Sequence, residues 1–223
     1  DSGTRASAYT YEWCDVPQEE KRLARERGIA DYDEYEAWNT DSGSARTARE
    51  LDQLEAESGV TLVRFNGHWV DKAKLLKREQ RTVLGGRSRW TPHGFQEEAP
   101  GATDSPTTTT AAVRVLHIQG MRRGWVKYKL DLGSAFFTSK KTTKQHLWVR
   151  EPPELMREDS ISRFRQLWVE VPGTRGAPRA FYETLIEHLC ETMGFVRSRE
   201  DRCLLYHADG QGEQDNAAVL HVD

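Results

Sequence analysis

An α+β fold is predicted for these 223 residues by three observations: short apolar runs that alternate with charge, helical stripes lying between them, and polar turns where the periodicity changes. From Val60 onward the order reads strand, helix, strand, helix, hairpin. In TLVRFNGHWV, Asn66-Gly67 separates two strand-like runs and is the strongest short hairpin signal in the chain. Residues 97–110, EEAPGATDSPTTTT, read as a loop, and one of the threonines is expected to cap a helix over about Ala111 to Met121. A strand follows at 125–131. Its alternation puts Val126, Tyr128 and Leu130 on one face and Trp125, Lys127, Lys129 and Asp131 on the other. Such a basic face ending in an acid suits phosphate and metal. Further strands are expected at His146 to Arg150 and Arg165 to Val171. Ala177 to Met193 reads as a helix with Phe181, Leu185 and Leu189 on one stripe and Gly194 as its stop. Cys203 to His207 and Ala217 to Val222 complete the domain as two strands joined by the polar turn ADGQGEQD.

The first 58 residues read differently. They offer a possible charged helix at Gln18 to Arg27, a Tyr/Asp/Glu patch at Asp31 to Trp38, and a second helix at Ser44 to Glu57 anchored only by Leu51 and Leu54. This is thin material for a core, so an acidic, partly helical extension is expected over 1–58, ahead of a main domain at 59–223.

Charge follows the same division. The net charge of −3 excludes a wholly basic nucleic-acid binder, yet residues 1–59 hold 15 acids against 7 Lys/Arg, while residues 64–89 hold 8 Lys/Arg against Asp71 and Glu79. An acidic extension thus sits beside a polyanion-facing segment. Taken alone, a basic run is more often a solvated face. Cys14, Cys190 and Cys203 are odd in number and lack metal-ligand spacing, which argues against a disulfide framework or a zinc site. No secretory leader and no spanning apolar run is seen, so an intracellular setting, cytoplasmic or nuclear, is expected without a membrane partner. The first residue is Asp1 and the last is Asp223, and the chain reads as a piece of something longer.

Five blocks in order carry a family resemblance: LDLGSAFF, LWVREPPEL, VPGTRGAPRAFYETLIEHLCETMGF, SREDRCLLY and AVLHVD, with SRWTPHGFQ and DSPTTTTAAVRVL upstream. Together they resemble the reverse transcriptase domain of copia-type retrotransposon polyproteins over about residues 60–223. The resemblance implies a polymerase-type fingers and palm, with an antiparallel sheet packed on helices and cut off before the thumb. It implies RNA-directed DNA polymerase activity by two-metal nucleotidyl transfer, with an RNA or DNA template-primer and deoxynucleoside triphosphates as partners. Asp131 and Asp223 fall on catalytic, metal-binding acids, and the Leu132 carbonyl on a further oxygen ligand. Phe136 falls on the aromatic beneath the incoming sugar, which bars a 2′-hydroxyl. Arg87, Arg89, Gly173 and Arg175 fall on nucleotide-binding positions, and Lys127, Lys129, Pro178 and Arg179 are expected to face the template-primer, the two lysines on the same basic face as Asp131.

Chemistry agrees with these roles. Joining a 3′-hydroxyl to an α-phosphate calls for charge neutralisation on both the attacking and leaving oxygens, which two Mg²⁺ ions about 3.5–4 Å apart supply. Such ions want carboxylates on rigid elements, so Asp131 and Asp223 are expected on adjacent strands, within reach of one ion. Three departures from the family pattern stand out: His221-Val222-Asp223 where the family has Tyr-Val-Asp-Asp, Gly176 where it has Gln, and Pro92 within the fingers block. Residues 1–223 alone are expected not to polymerise. The competing reading is a decayed, non-catalytic remnant that still binds nucleic acid through phosphates.

Overall fold

The structure, a computed structural model, describes residues 11–78, 81–97, 105–141, 146–208 and 214–220. It is mixed α/β, and its contacts divide the chain into two units, Asp1–His93 with His146–Leu167 and Gly94–Gln145 with Trp168–Asp223.

In the first unit, helix α1 (Gln18–Glu34) starts after Pro17 with Glu19 and Glu20 in its first turn, where carboxylates favour the helix dipole. It buries only Ala24, Gly28, Ile29 and Tyr32. So sparse a stripe suffices because the helix comes close. A Cβ on Gly28 would lie 2.6 Å from the Ser88 carbonyl oxygen, so backbone meets backbone there. The Tyr32 hydroxyl then donates to the Trp90 carbonyl at 2.8 Å. Helix α2 (Ala48–Ser58) has a reciprocal cap between Thr47 and Glu50 and ends at Gly59, whose φ is 66°. The thin core expected of this region is corrected by burial: Tyr32, Trp38 and Leu51 are all at or below 1% exposure.

Four strands form a sheet in the order β1 (Arg46–Thr47), β6 (Arg163–Gln166), β5 (Leu147–Arg150), β2 (Val63–Phe65). β2 runs parallel to β5, and the other pairs are antiparallel. Leu51 from α2 packs on Trp148 and Phe164 of this sheet. Arg165 is buried with Glu151 at 2.7 Å, and its guanidinium stacks on Trp38.

The long ribbon β3 (Gly67–Arg78) and β4 (Arg81–Pro92) pairs in unbroken register from Gly67 opposite Pro92 to Arg78 opposite Arg81. Asn66-Gly67 is therefore not a hairpin turn, because the strand before it pairs with β5 and the strand after it pairs with β4. Close approach explains the glycine instead: a Cβ on Gly67 would stand 2.5 Å from the Trp90 ring.

In the second unit, helix α3 (Thr110–Arg123) is capped by the Thr109 hydroxyl, which accepts from the Ala112 amide at 3.1 Å, as the threonine run leads one to expect. Helix α4 (Ala177–Glu187) runs on through a π turn at His188–Thr192 and closes near Gly194, with φ 73°. The antiparallel sheet has the order β7 (Val196–Arg197), β8 (Leu204–Ala208), β9 (Gln214–Val219). Tyr182 and Ile186 of α4 bury against Cys203 and Leu205. Asp201 ties α3 to this sheet, accepting from the Thr109 amide and hydroxyl and from the Cys203 amide.

The strand expected at 125–131 is not formed. Among the described residues this run joins no sheet, and Val126, Tyr128 and Leu130 are 73%, 80% and 85% exposed. Alternation alone does not make a strand, since the backbone also needs a ladder partner, and among the described residues β9 pairs with β8 alone.

Candidate functional site

The first unit contributes the basic face of the ribbon. Cross-strand pairing puts Val70 opposite Arg89, Lys72 opposite Arg87 and Lys74 opposite Gly85, so Lys72, Lys74, Arg87 and Arg89 share one face. All four are exposed, and none has an ion-pair partner among the described residues. Across the ribbon, Trp69, Asp71, Ser88 and Trp90 form the opposite face, which α1 covers; Arg25 reaches over Trp69 to Asp71 at 3.1 Å. Arg78 lies further out on the basic face, and its charge is met by Glu20 at 3.0 Å. Burial and the neighbouring Arg87 charge lower the Arg89 pKa, with Asp31 acting in the opposite direction. A row of exposed cations at two-residue spacing, about 6.6 Å along a strand, suits successive phosphates.

The second unit holds the other expected site residues. Asp131, Lys127 and Lys129 lie exposed on the irregular run before a 3₁₀ turn at Ala135–Thr138, and Leu132 is likewise exposed. That turn folds against α4. Phe136 meets Phe181 edge-on with ring centroids 6.0 Å apart, the Lys140 amide donates to the Thr184 hydroxyl at 3.0 Å, and Lys140 forms an ion pair with Glu187. LDLGSAFF is thus brought onto the helix opened by APRAFY. Pro178 and Arg179 lie in the first turn of α4, where proline is favoured, and Arg179 donates to Glu183. Gly173, with φ 109°, and Arg175 are exposed on the turn just before the helix.

Asp223 lies outside the described residues, so its expected approach to Asp131 has no counterpart here. Among the described residues no group of three or more His, Cys, Asp or Glu side chains could hold a metal ion. Asp131 alone is a poor fit for Mg²⁺, which needs several oxygens in near-octahedral array. Among the described residues no helix is long and apolar enough to cross a membrane.

Sequence reasoning missed two buried carboxylates beside Arg175. Glu97 and Glu170 are each 4% exposed, Glu97 accepting from the Arg175 amide and Glu170 lying against Gly176. The signal for Glu170 was present in its position between Val169 and Val171, inside an apolar run. Glu97 carried no such signal.

Two Retrovirus-related Pol polyproteins of Arabidopsis thaliana, from transposons RE2 and RE1, are each 29% identical to the chain over 102 residues. The chain is similar to retrotransposon Pol polyproteins. The match takes in 46% of this chain and 7% of each relative, so the chain corresponds to a small part of those proteins. No protein-family model matches it. Nor does any solved structure.

Proposed function

We propose that the chain is the fingers-and-palm part of a retrotransposon reverse transcriptase, an RNA-directed DNA polymerase. The observation that carries this reading is the docking of the Asp131 block on α4 through Phe136 and Phe181, with Arg175 on the turn before that helix and Arg179 in its first turn. Similarity to Pol polyproteins supports the same assignment. In this reading the ribbon face with Lys72, Lys74, Arg87 and Arg89 binds phosphates of the template-primer or nucleotide, and Arg175 meets the nucleotide from the turn before α4. Mg²⁺, held by Asp131, the Leu132 carbonyl and Asp223, would supply the charge neutralisation that phosphoryl transfer needs. Phe136 bars a 2′-hydroxyl by occupying its space.

The gate supplies the test. In the longest natural chain that carries residues 1–223, Phe136→Ala is expected to admit ribonucleotides at least tenfold better relative to deoxynucleotides. The side chain is half-buried, so the fold should survive its loss. Equal discrimination by parent and variant would return Phe136 to a packing role against Phe181.

The second reading, a non-catalytic remnant, keeps the ribbon face, whose exposed Lys72, Lys74, Arg87 and Arg89 need no metal to meet phosphates. Phosphate binding by the ribbon without any nucleotide incorporation by the longest natural chain would establish it.

A further inference from the structure

Four residues before α4, Gly173–Gly176, are held from several sides by buried groups. Thr174 is buried, and its hydroxyl donates to the Val171 carbonyl at 2.9 Å. The Arg175 amide donates to Glu97 Oε2 at 3.2 Å. Where a Cβ on Gly176 would stand, Glu170 Oε1 lies only 2.6 Å away. Gly94 closes the frame, since a Cβ there would come within 2.1 Å of the Gly173 oxygen and 3.3 Å of the Arg175 nitrogen. The side chain this frame leaves in water is Arg175, which has no ion-pair partner among the described residues.

A buried carboxylate is held in place by the groups bonded to it, and the bond from the Arg175 amide ties this turn to Glu97. Glycine at 176 follows from the same packing, because any side chain there competes with Glu170 for the same space. A flexible turn would present Arg175 over a range of positions, whereas a phosphate contact gains from a fixed one.

We propose that Glu97 and Glu170 are positioning residues, which fix the Gly173–Gly176 turn so that Arg175 meets the phosphates of the incoming nucleotide. The inference rests on the polymerase reading and adds the groups through which Arg175 becomes effective.

The test uses the longest natural chain that carries residues 1–223, with steady-state incorporation, melting temperature and tripolyphosphate affinity measured for each variant. Arg175→Ala is expected to raise the deoxynucleotide KM about tenfold with little change in kcat, the size of one lost charged hydrogen bond. Glu97→Ala should raise KM by a similar factor, and the double variant Glu97→Ala/Arg175→Ala should be no worse than Arg175→Ala alone. Glu97→Gln, which keeps an acceptor oxygen at the same reach, should stay within about twofold of the parent. Gly176→Ala, which drives a methyl group against Glu170, should reproduce the KM rise. A lowered melting temperature with unchanged KM, or effects of Glu97 and Arg175 that multiply, would overturn the proposal. Tripolyphosphate separates it from the polymerase reading. Binding that weakens in both Arg175→Ala and Glu97→Ala, in a chain that incorporates no nucleotide, keeps the frame and removes the polymerase; binding indifferent to Glu97→Ala removes the frame whatever the activity.

Discussion

Replacing Lys72 and Arg87 by Gln together removes half of the four exposed cations on the ribbon face, at a pair that sits directly across the two strands. If each of the four meets one phosphate, single-stranded nucleic acid should bind with log K falling against log salt at a slope of about −2.8. Between 50 and 200 mM salt that is a loss of about 50-fold. The double variant should show a slope of about −1.4 and a loss of only about sevenfold over the same range. Its stability should move the other way. Like charges directly opposite in a ladder repel, so removing them should raise stability by about 0.2–1 kcal/mol. Fluorescence anisotropy of a labelled oligonucleotide, titrated at four salt concentrations, reads the slope, and thermal melting reads the stability. An unchanged slope in a folded double variant would refute the assignment of this face to phosphate binding, because the electrostatic part of binding counts contacts.

Three further outcomes follow from the packing. Gly28→Ala places a methyl group 2.6 Å from the Ser88 carbonyl, backbone that α1 cannot leave without losing the Tyr32 bond to Trp90; denaturant melting should show a loss of about 1–3 kcal/mol. Glu151→Ala removes the closer carboxylate from the buried Arg165 guanidinium, leaving Asp33 at 3.9 Å, and should cost an amount at the lower end of about 3–5 kcal/mol, read the same way. Burial acts to raise the pKa of Asp201, but hydrogen bonds from the Thr109 and Cys203 amides and the Thr108 and Thr109 hydroxyls prevail and hold it below 3.8. A depressed folded pKa gives stability that is present above the unfolded value and lost as pH falls through the folded one. The melting temperature should therefore drop below about pH 4 in the parent, and the gap to Asp201→Asn should narrow over that window. A constant gap from pH 5 to pH 2 would contradict it.

The sequence made the helices legible where a cap and a stop carried local chemistry. Thr109 caps α3 and Gly194 closes the α4 region because a hydroxyl acceptor and a positive φ are properties of a few residues. Where partner choice decided the outcome, local pattern misled. Asn66-Gly67 has hairpin chemistry, yet Gly67 is required by the Trp90 ring, which arrives from a strand more than 20 residues later. Val126, Tyr128 and Leu130 alternate as a strand does, but a ladder needs a second chain segment, and alternation carries no information about one. Residues 1–58, α1 included, were expected to offer thin material for a core; Gly28 makes up for sparse apolar side chains by letting the backbone itself approach β4. Of the candidate site, Arg87, Arg89, Arg175 and Phe136 were reached through family blocks, while Glu97 and Glu170 became visible only when the turn they hold had been described.

Primer extension on an RNA template tests the polymerase reading most directly, using the longest natural chain that carries residues 1–223 and deoxynucleotides with and without Mg²⁺. The account predicts templated extension that requires Mg²⁺ and is lost by at least a thousandfold in Asp131→Asn, with oligonucleotide affinity unchanged within about twofold. Extension undiminished in Asp131→Asn, or no extension by a parent chain that still binds the oligonucleotide, would contradict it.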